Sequence, residues 1–369
     1  MPFAAFREMN ARASAIPGAI RLELGDPDFV TPAHIVDAAR DAALAGFTKY
    51  TLPAGLPSLR EFLAVKLRER NRTKRSANEI VVTAGACGAL FTTMLALLEP
   101  GDEVLLPDPG WPNYPPIVEA VGCRIVYYPL DLQADGAPEL DALEARIGPS
   151  ARAIVVNSPG NPVGQILCRE VIGSLLEVAR KRDLWVISDE AYEDVVFEGE
   201  HVSLTGDRVV SIFSFSKSYA MTGWRVGYAV APDADVAARI ARAQEPVMWS
   251  VASVSQKAAE AALLGPQECV AEMREAYRAR RDAALAQLDA AGIGYVRPRG
   301  AFYLMVDVSA AGDDVDFAWR LLEDEGVAVA PGKAFGPTGA GYVRVSLSVA
   351  PDALTEGIER LTTLLKRLA

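Results

Sequence analysis

Short apolar runs alternate with longer stretches of helical periodicity from about residue 78 to residue 245. Segments 79–83 (EIVVT), 103–107 (EVLLP), 124–128 (RIVYY), 153–157 (AIVVN), 184–188 (LWVIS), 209–213 (VVSIF) and 225–230 (RVGYAV) have the length and composition of strands. Several are apolar on both faces, the pattern of a mainly parallel sheet covered by helices on each side. Between them, 89–98 and 169–181 repeat their apolar positions at helical spacing. The alternation predicts an α/β, doubly wound domain whose seven-stranded, mainly parallel sheet is sandwiched by helices.

After residue 250 the pattern changes. Residues 253–291 read as helix broken only at Gly265-Pro266, and 269–291 as one long amphipathic helix able to bridge two units. Strands at 301–306 and 342–347 and a closing helix at 351–368 follow, an α+β arrangement. A chain of 369 residues exceeds the usual size of one hydrophobic core. The expected division is a large domain over 36–265 and a smaller α+β domain built from 1–35 and 266–369. No internal repeat or low-complexity linker separates them, so tight packing is expected, with the small domain placed to close over a ligand.

A formal charge of -11 argues against a nucleic-acid partner, which favours a basic surface. The first residues lack the apolar run of a signal peptide, and no later stretch has the length and apolarity to span a bilayer. Cys87, Cys123, Cys168 and Cys269 are scattered without paired spacing, giving neither a zinc site nor a disulfide framework. These features predict a cytoplasmic protein. His34 and His201 are the only histidines. His34 falls in the first turn of an expected helix and His201 in a polar loop, so no metal site or Ser-His-Asp arrangement is expected. The chemistry falls to Lys, Asp, Tyr, Arg or a cofactor.

In open α/β sheets ligands bind at the carboxyl ends of the strands, and that is where unusual residues gather here. Segment 79–83 runs into Ala84-Gly85-Ala86-Cys87-Gly88, which suits either a plain tight turn or a phosphate held by backbone N–H groups at a helix start. Segment 103–107 ends near Trp111, which can pack in a core or lie flat on an aromatic ligand. Asn157 to Pro162 holds two asparagines among Pro and Gly, ordinary turn formers; Asn161 can instead point its amide into a site. Asp189, after 184–188, suits a helix N-cap as well as a catalytic acid. Lys217 sits among Ser214, Ser216, Ser218, Phe215 and Tyr219. Partial burial there lowers an amine's pKa and makes it a usable nucleophile toward an aldehyde.

The run SFSKSYAMTGWRVG at 214–227 resembles the attachment signature of class I aminotransferases of fold type I, pyridoxal-phosphate enzymes of the aspartate aminotransferase type. Supporting motifs follow in family order: LGDPDF at 24–29, YTLPAGLPSLR at 50–60, TAGACGAL at 83–90, NSPGNPVG at 157–164, SDEAYED at 188–194, PRGAFY at 298–303, PGKAFG at 331–336 and YVRVSLS at 342–348. The resemblance implies amino-group transfer between an L-amino acid and a 2-oxo acid. It implies that Lys217 carries pyridoxal 5'-phosphate, that Asp189 pairs with the ring nitrogen, and that Tyr192 and Asn161 bond the ring oxygen. It further implies that Trp111 stacks on the ring, while Ser214, Ser216, Arg225 and the Gly85, Ala86 and Cys87 backbone hold the phosphate. Arg344 would clamp the substrate carboxylate beside Gly25 and Asn161. Tyr50 would reach the neighbouring subunit's phosphate, which implies a homodimer with shared active sites.

Two departures touch detail. Cys87 stands where many relatives carry a polar or basic side chain. No match is evident for the extra arginine of dicarboxylate-specific relatives, and Arg12, Arg21 and Arg242 cannot be placed from the sequence. A carbon–sulfur β-lyase, or another specialised amino-acid-modifying enzyme of the same fold, remains the alternative; it would use the same Lys217 and Asp189. A transcription regulator is disfavoured by the acidic balance and by LGDPDF beginning at residue 24.

Overall fold

The three-dimensional form of the protein, a computed structural model, describes residues 2–134 and 136–368; Met1, Asp135 and Ala369 lie outside the described residues. The large sheet runs in the order Ile80–Thr83, Gly227–Val230, Val209–Ser214, Trp185–Asp189, Ala151–Asn157, Glu103–Asp108, Arg124–Asp131 and Ala137–Pro138. The first seven are the strands expected from the apolar runs. The eighth, two residues long, pairs antiparallel with Arg124–Asp131 and adds an edge that the sequence did not announce. The neighbours from Arg124–Asp131 through Val209–Ser214 are parallel, whereas Gly227–Val230 is antiparallel to both strands it lies between.

Alternation along the strands divides their side chains between two faces. Val104, Leu106, Val155 and Ile187 join a core with helix residues Leu90, Met94 and Ile240. Leu105, Ile154, Val156 and Val186 turn to the opposite face and pack with Ile172 and Leu175. Both faces are dry, which is why the strands read as continuous apolar runs.

A second sheet of four strands, in the order Tyr295–Val296, Tyr303–Asp307, Tyr342–Ser346 and Ala330–Pro331, packs with helices Glu268–Ala291, Asp314–Glu325 and Pro351–Leu368. Met9 and Ala13 of the N-terminal helix Pro2–Ser14, together with Leu22, belong to that same core. Boundaries differ from the expectation where the backbone turns. Ala77–Glu79 is a 3-10 turn closed by reciprocal Ser76 and Glu79 bonds, so its strand starts at Ile80. Arg225 and Ala301 have φ of 52° and 55°, outside the extended region, so those strands begin at Gly227 and Tyr303.

One buried ion pair pins the segment that follows the central strand Trp185–Asp189. Lys66 Nζ, from helix Pro57–Glu69, donates to both Glu193 carboxylate oxygens at 2.5 and 2.6 Å, and Asn71 Nδ2 adds a third bond at 2.7 Å. Removing one member strands the other charge in a dry site. Lys66→Met is therefore expected to cost about 3–5 kcal/mol in chemical denaturation. The double variant Lys66→Met, Glu193→Leu should recover most of that loss; a single-variant loss below about 1 kcal/mol would contradict the pinning role.

Candidate active site

Strand direction gathers the candidate residues. Because Gly227–Val230 is antiparallel, its beginning lies at the carboxyl ends of the parallel strands, and Gly227 pairs with both Thr83 and Ser214. The turn at Gly85, the residue Ser214 and the side chain of Arg225 therefore meet at one rim. Gly227 has no room for a side chain: a Cβ there would lie 2.6 Å from the Phe213 carbonyl oxygen and 2.9 Å from the Gly85 carbonyl carbon. Two strands further on, Asn157 and Asp189 are register partners.

These ends open into a cavity of about 430 Å³. It is lined by Gly25, Ala86, Cys87, Trp111, Asn161, Asp189, Tyr192, Ser214, Ser216, Lys217, Arg225 and Arg344, all expected from the sequence. Gly85 stands just behind the wall, where a Cβ would come within 2.9 Å of Arg225 Nη2. Tyr50 is not brought to this cavity; it is 87 % exposed elsewhere on the surface.

Lys217 sits in the short helical turn Phe215–Ser218, capped by Ser214 Oγ, which accepts from Ser216 N at 3.2 Å. Its Nζ donates to the Gly25 carbonyl at 2.5 Å. Burial pushes this amine down to about 8, with Arg225 and Arg344 acting in the same direction against Asp26. Asp189 is buried at the base of the cavity. Its Oδ2 accepts from the Tyr114 hydroxyl at 2.7 Å and its Oδ1 from Ala191 N at 3.2 Å. Burial lifts its carboxyl to about 6, outweighing those two donors, and neighbouring Glu190 adds to the rise.

Arg344 lies on the opposite side from its apolar strand neighbours, yet that side is interior: the residue is 3 % exposed. Nη1 donates to Asn161 Oδ1 at 3.0 Å and Nη2 to the Glu23 carbonyl at 2.5 Å. The guanidinium is stacked between the Tyr303 and Phe335 rings, 4.2 and 4.7 Å from their centroids. Burial lowers its pKa, opposed by Tyr303, Tyr192 and Glu23. A planar cation held this way keeps a fork free for a carboxylate. Tyr192 and Tyr303 share a hydroxyl contact of 2.8 Å beside it.

Several participants escaped the sequence reading. Tyr114 was passed over because nothing local announces its partner 75 residues on. Tyr303 falls inside a quoted motif but had no role, and Phe6 and Asn10, on the N-terminal helix, line the cavity unforeseen. His201 lies in a loop as expected, but its side chain is only 8 % exposed, with Nε2 2.8 Å from Glu190 Oε2, so it serves the packing behind the cavity. Among the described residues no cluster of His, Cys, Asp and Glu could hold a metal ion.

Known proteins are similar to this chain in sequence and fold. Residues 17–361 match the family described as aminotransferase class I and II. The chain is 40% identical over 355 residues to the aspartate/prephenate aminotransferase of Thermus thermophilus, covering 94% of this chain and 91% of that protein. It is 41% identical over 347 residues to an arginine–pyruvate transaminase of Pseudomonas aeruginosa, covering 92% and 88%. Among solved structures, a single mutant of the Thermus thermophilus aspartate aminotransferase superposes with a TM-score of 0.93 at 39% identity, over 98% of this chain and 96% of that one. The aromatic aminotransferase of Pyrococcus horikoshii gives 0.92 at 35%, over 97% and 99%. Sequence and fold agree along nearly the whole length, and the chain belongs to the aminotransferase class I and II family as an aminotransferase.

Proposed function

We propose that the cavity holds pyridoxal 5'-phosphate and passes an amino group from an amino acid to a 2-oxo acid, with Lys217 as the attachment and proton-transfer residue. The observation that carries this reading is a lysine amine and a carboxylate, each pushed toward its neutral form by burial, lining one cavity. The residues present fit the cofactor. The turn at Gly85, Ala86 and Cys87 opens a 13-residue helix whose first N–H groups suit a phosphate, and Arg225, Ser214 and Ser216 add donors. Burial pushes the Cys87 thiol up against the pull of Arg225, so Cys87 contributes as a neutral group through its backbone.

When bound, the cofactor supplies a ring that draws electrons from the substrate Cα. Asp189 would face the ring nitrogen, where a cation relieves the cost of its burial and keeps it ionised. Tyr114 and the Ala191 N–H hold that carboxylate from behind, so it cannot turn away. Tyr192 and the amide of Asn161 would bond the ring oxygen, and Trp111 would cover the ring face. Arg344 would take the α-carboxylate in a bidentate pair, fixing the Cα hydrogen toward Lys217. Lys217 Nζ, whose pKa is depressed to about 8 so that a usable fraction is neutral near physiological pH, would then accept the Cα proton.

The assembly and location belong to the same proposal. Tyr50, Leu52 and Trp249 are exposed on neighbouring segments, tied together by the Ser250 bond to Thr51 N and the Ser253 bond to the Phe47 carbonyl. An apolar face of this kind supports a homodimer in which Tyr50 reaches the partner's cavity. The core shared by Met9, Ala13 and Leu22 with the C-terminal helices supports a small domain of 1–35 and 266–369 beside a large domain of 36–265. Four free cysteines support a cytoplasmic location.

Three outcomes are expected. Lys217→Ala should fold normally but show neither the absorption band of the lysine-bound cofactor nor turnover; a variant retaining both would refute the lysine assignment. Capture of pyridoxal phosphate by the apoprotein should accelerate as pH rises through about 8, because the neutral fraction of a depressed amine grows there. A rate that keeps climbing toward pH 10 would indicate an ordinary exposed lysine. In Tyr114→Phe, Asp189 loses a donor that favours its ionised form, so its carboxyl should rise further. The acid limb of kcat/KM against pH should then move up by about one unit. An unmoved limb would show that Asp189 does not set it.

A further inference from the structure

The relatives named above act on amino acids as different as aspartate and arginine, so membership in the family leaves open which side chain this cavity accepts. The N-terminal helix Pro2–Ser14 bears on that question. Phe6 and Asn10, one turn apart, lie along the cavity wall, and the Phe6 ring centroid is 5.8 Å from the Arg344 guanidinium carbon. A substrate anchored by its α-carboxylate on Arg344 would have this helix face within reach of its side chain.

Arg21 is a cation bonded to that wall through Asn10, but it is already committed. Its Nε donates to Glu23 Oε1 at 2.6 Å, its Nη1 to Ser14 Oγ at 3.0 Å and its Nη2 to Asn10 Oδ1 at 2.9 Å. Glu23 is fully buried, so the pair is neutral as a unit and Arg21 cannot swing out without stranding a carboxylate. Arg21 is not among the cavity-lining residues. The cations that are, Lys217, Arg225 and Arg344, already serve the cofactor and the α-carboxylate in the reading above.

The same network fixes Asn10. Its Oδ1 takes the Arg21 bond and faces Ser14 Oγ at 3.5 Å, so the amide cannot flip, and its Nδ2 has no acceptor among the described residues. A half-buried, orientation-locked donor that the protein does not use, and that is not sealed from solvent, stands at the wall of the substrate cavity.

We propose that Asn10 is a specificity-determining residue and Arg21 its positioning residue, and that together they select an amino donor with an uncharged, oxygen-bearing side chain, a carboxamide, over a dicarboxylate. Asn10 Nδ2 donates to the side-chain oxygen while Phe6 covers the apolar stem. A second carboxylate at this wall would find no uncommitted cation among the cavity-lining residues of its own chain, whereas a carboxamide oxygen is satisfied by one neutral donor. This rests on the amino-transfer reading of the same cavity.

The test uses the holoenzyme and half-reaction kcat/KM values for asparagine, glutamine, aspartate and glutamate, with alanine as the reference donor. Wild type should favour the amides over the corresponding dicarboxylates by more than about tenfold, and Asn10→Leu should lower the amide-to-alanine ratio about tenfold, mainly through KM. Arg21→Met should lower the same ratio by releasing Asn10, and Arg21→Lys should restore part of it. Dissociation constants for the unreactive 2-methyl derivatives should follow the same order. Preference for dicarboxylates in wild type, or an amide-to-alanine ratio indifferent to Asn10, overturns the proposal while leaving amino transfer intact. Absence of turnover with every donor, alanine included, overturns the amino-transfer reading itself and this proposal with it.

Discussion

Holding a carboxylate out of water at the end of a central strand is the constraint around which this site is organised. Asp189 has a phenol and one backbone N–H for donors and open cavity on its remaining side. A buried anion with so little compensation costs several kcal/mol unless a cation or further donors complete it. Glu190, the next residue, shows the contrast. Its carboxylate is completed inside the protein by Ser188, Leu204 and His201 and faces away from the chemistry. One of two adjacent acids is closed off by protein and the other is left for a ligand.

Sheet topology does the rest of the positioning. A single antiparallel strand inserted into a parallel sheet starts at the carboxyl-end rim, so Arg225, just before it, lies beside the Gly85 turn and Ser214. The smaller sheet contributes the opposing cation, Arg344, whose guanidinium is fixed by Asn161, the Glu23 carbonyl and two aromatic faces. Strand Ile20–Arg21 and the residues after it bring Glu23 and Gly25 to both cations: Gly25 receives Lys217 and Glu23 receives Arg344. In the proposed reaction these contacts preorganise the anchoring groups, so binding energy at the carboxylate is converted into orientation at Cα.

Much of this could be read from the residues because the signals were local. Strands buried on both faces show as uninterrupted apolar runs, and the helices Arg169–Lys181 and Pro351–Leu368 appear at the expected bounds because their periodicity and flanks are clear. Errors fell where one backbone angle decides, as at Arg225 and Ala301 with positive φ in non-glycine residues. What could not be read depends on contacts between distant segments. Nothing near Tyr114 signals Asp189, nothing near Arg21 signals its bond to Asn10, and a histidine in a polar stretch gave no hint of burial on Glu190. Tyr50 illustrates a different limit, since the role proposed for it requires a second copy that a single chain does not contain.

The central claim is that the amine at position 217 attaches the cofactor. Borohydride reduction of the protein loaded with pyridoxal phosphate, followed by peptide mass spectrometry, tests it most directly. One phosphopyridoxyl group per chain, on the peptide containing Lys217, is the expected result; a label on Lys333, Lys257 or any other lysine, or none at all, would contradict it.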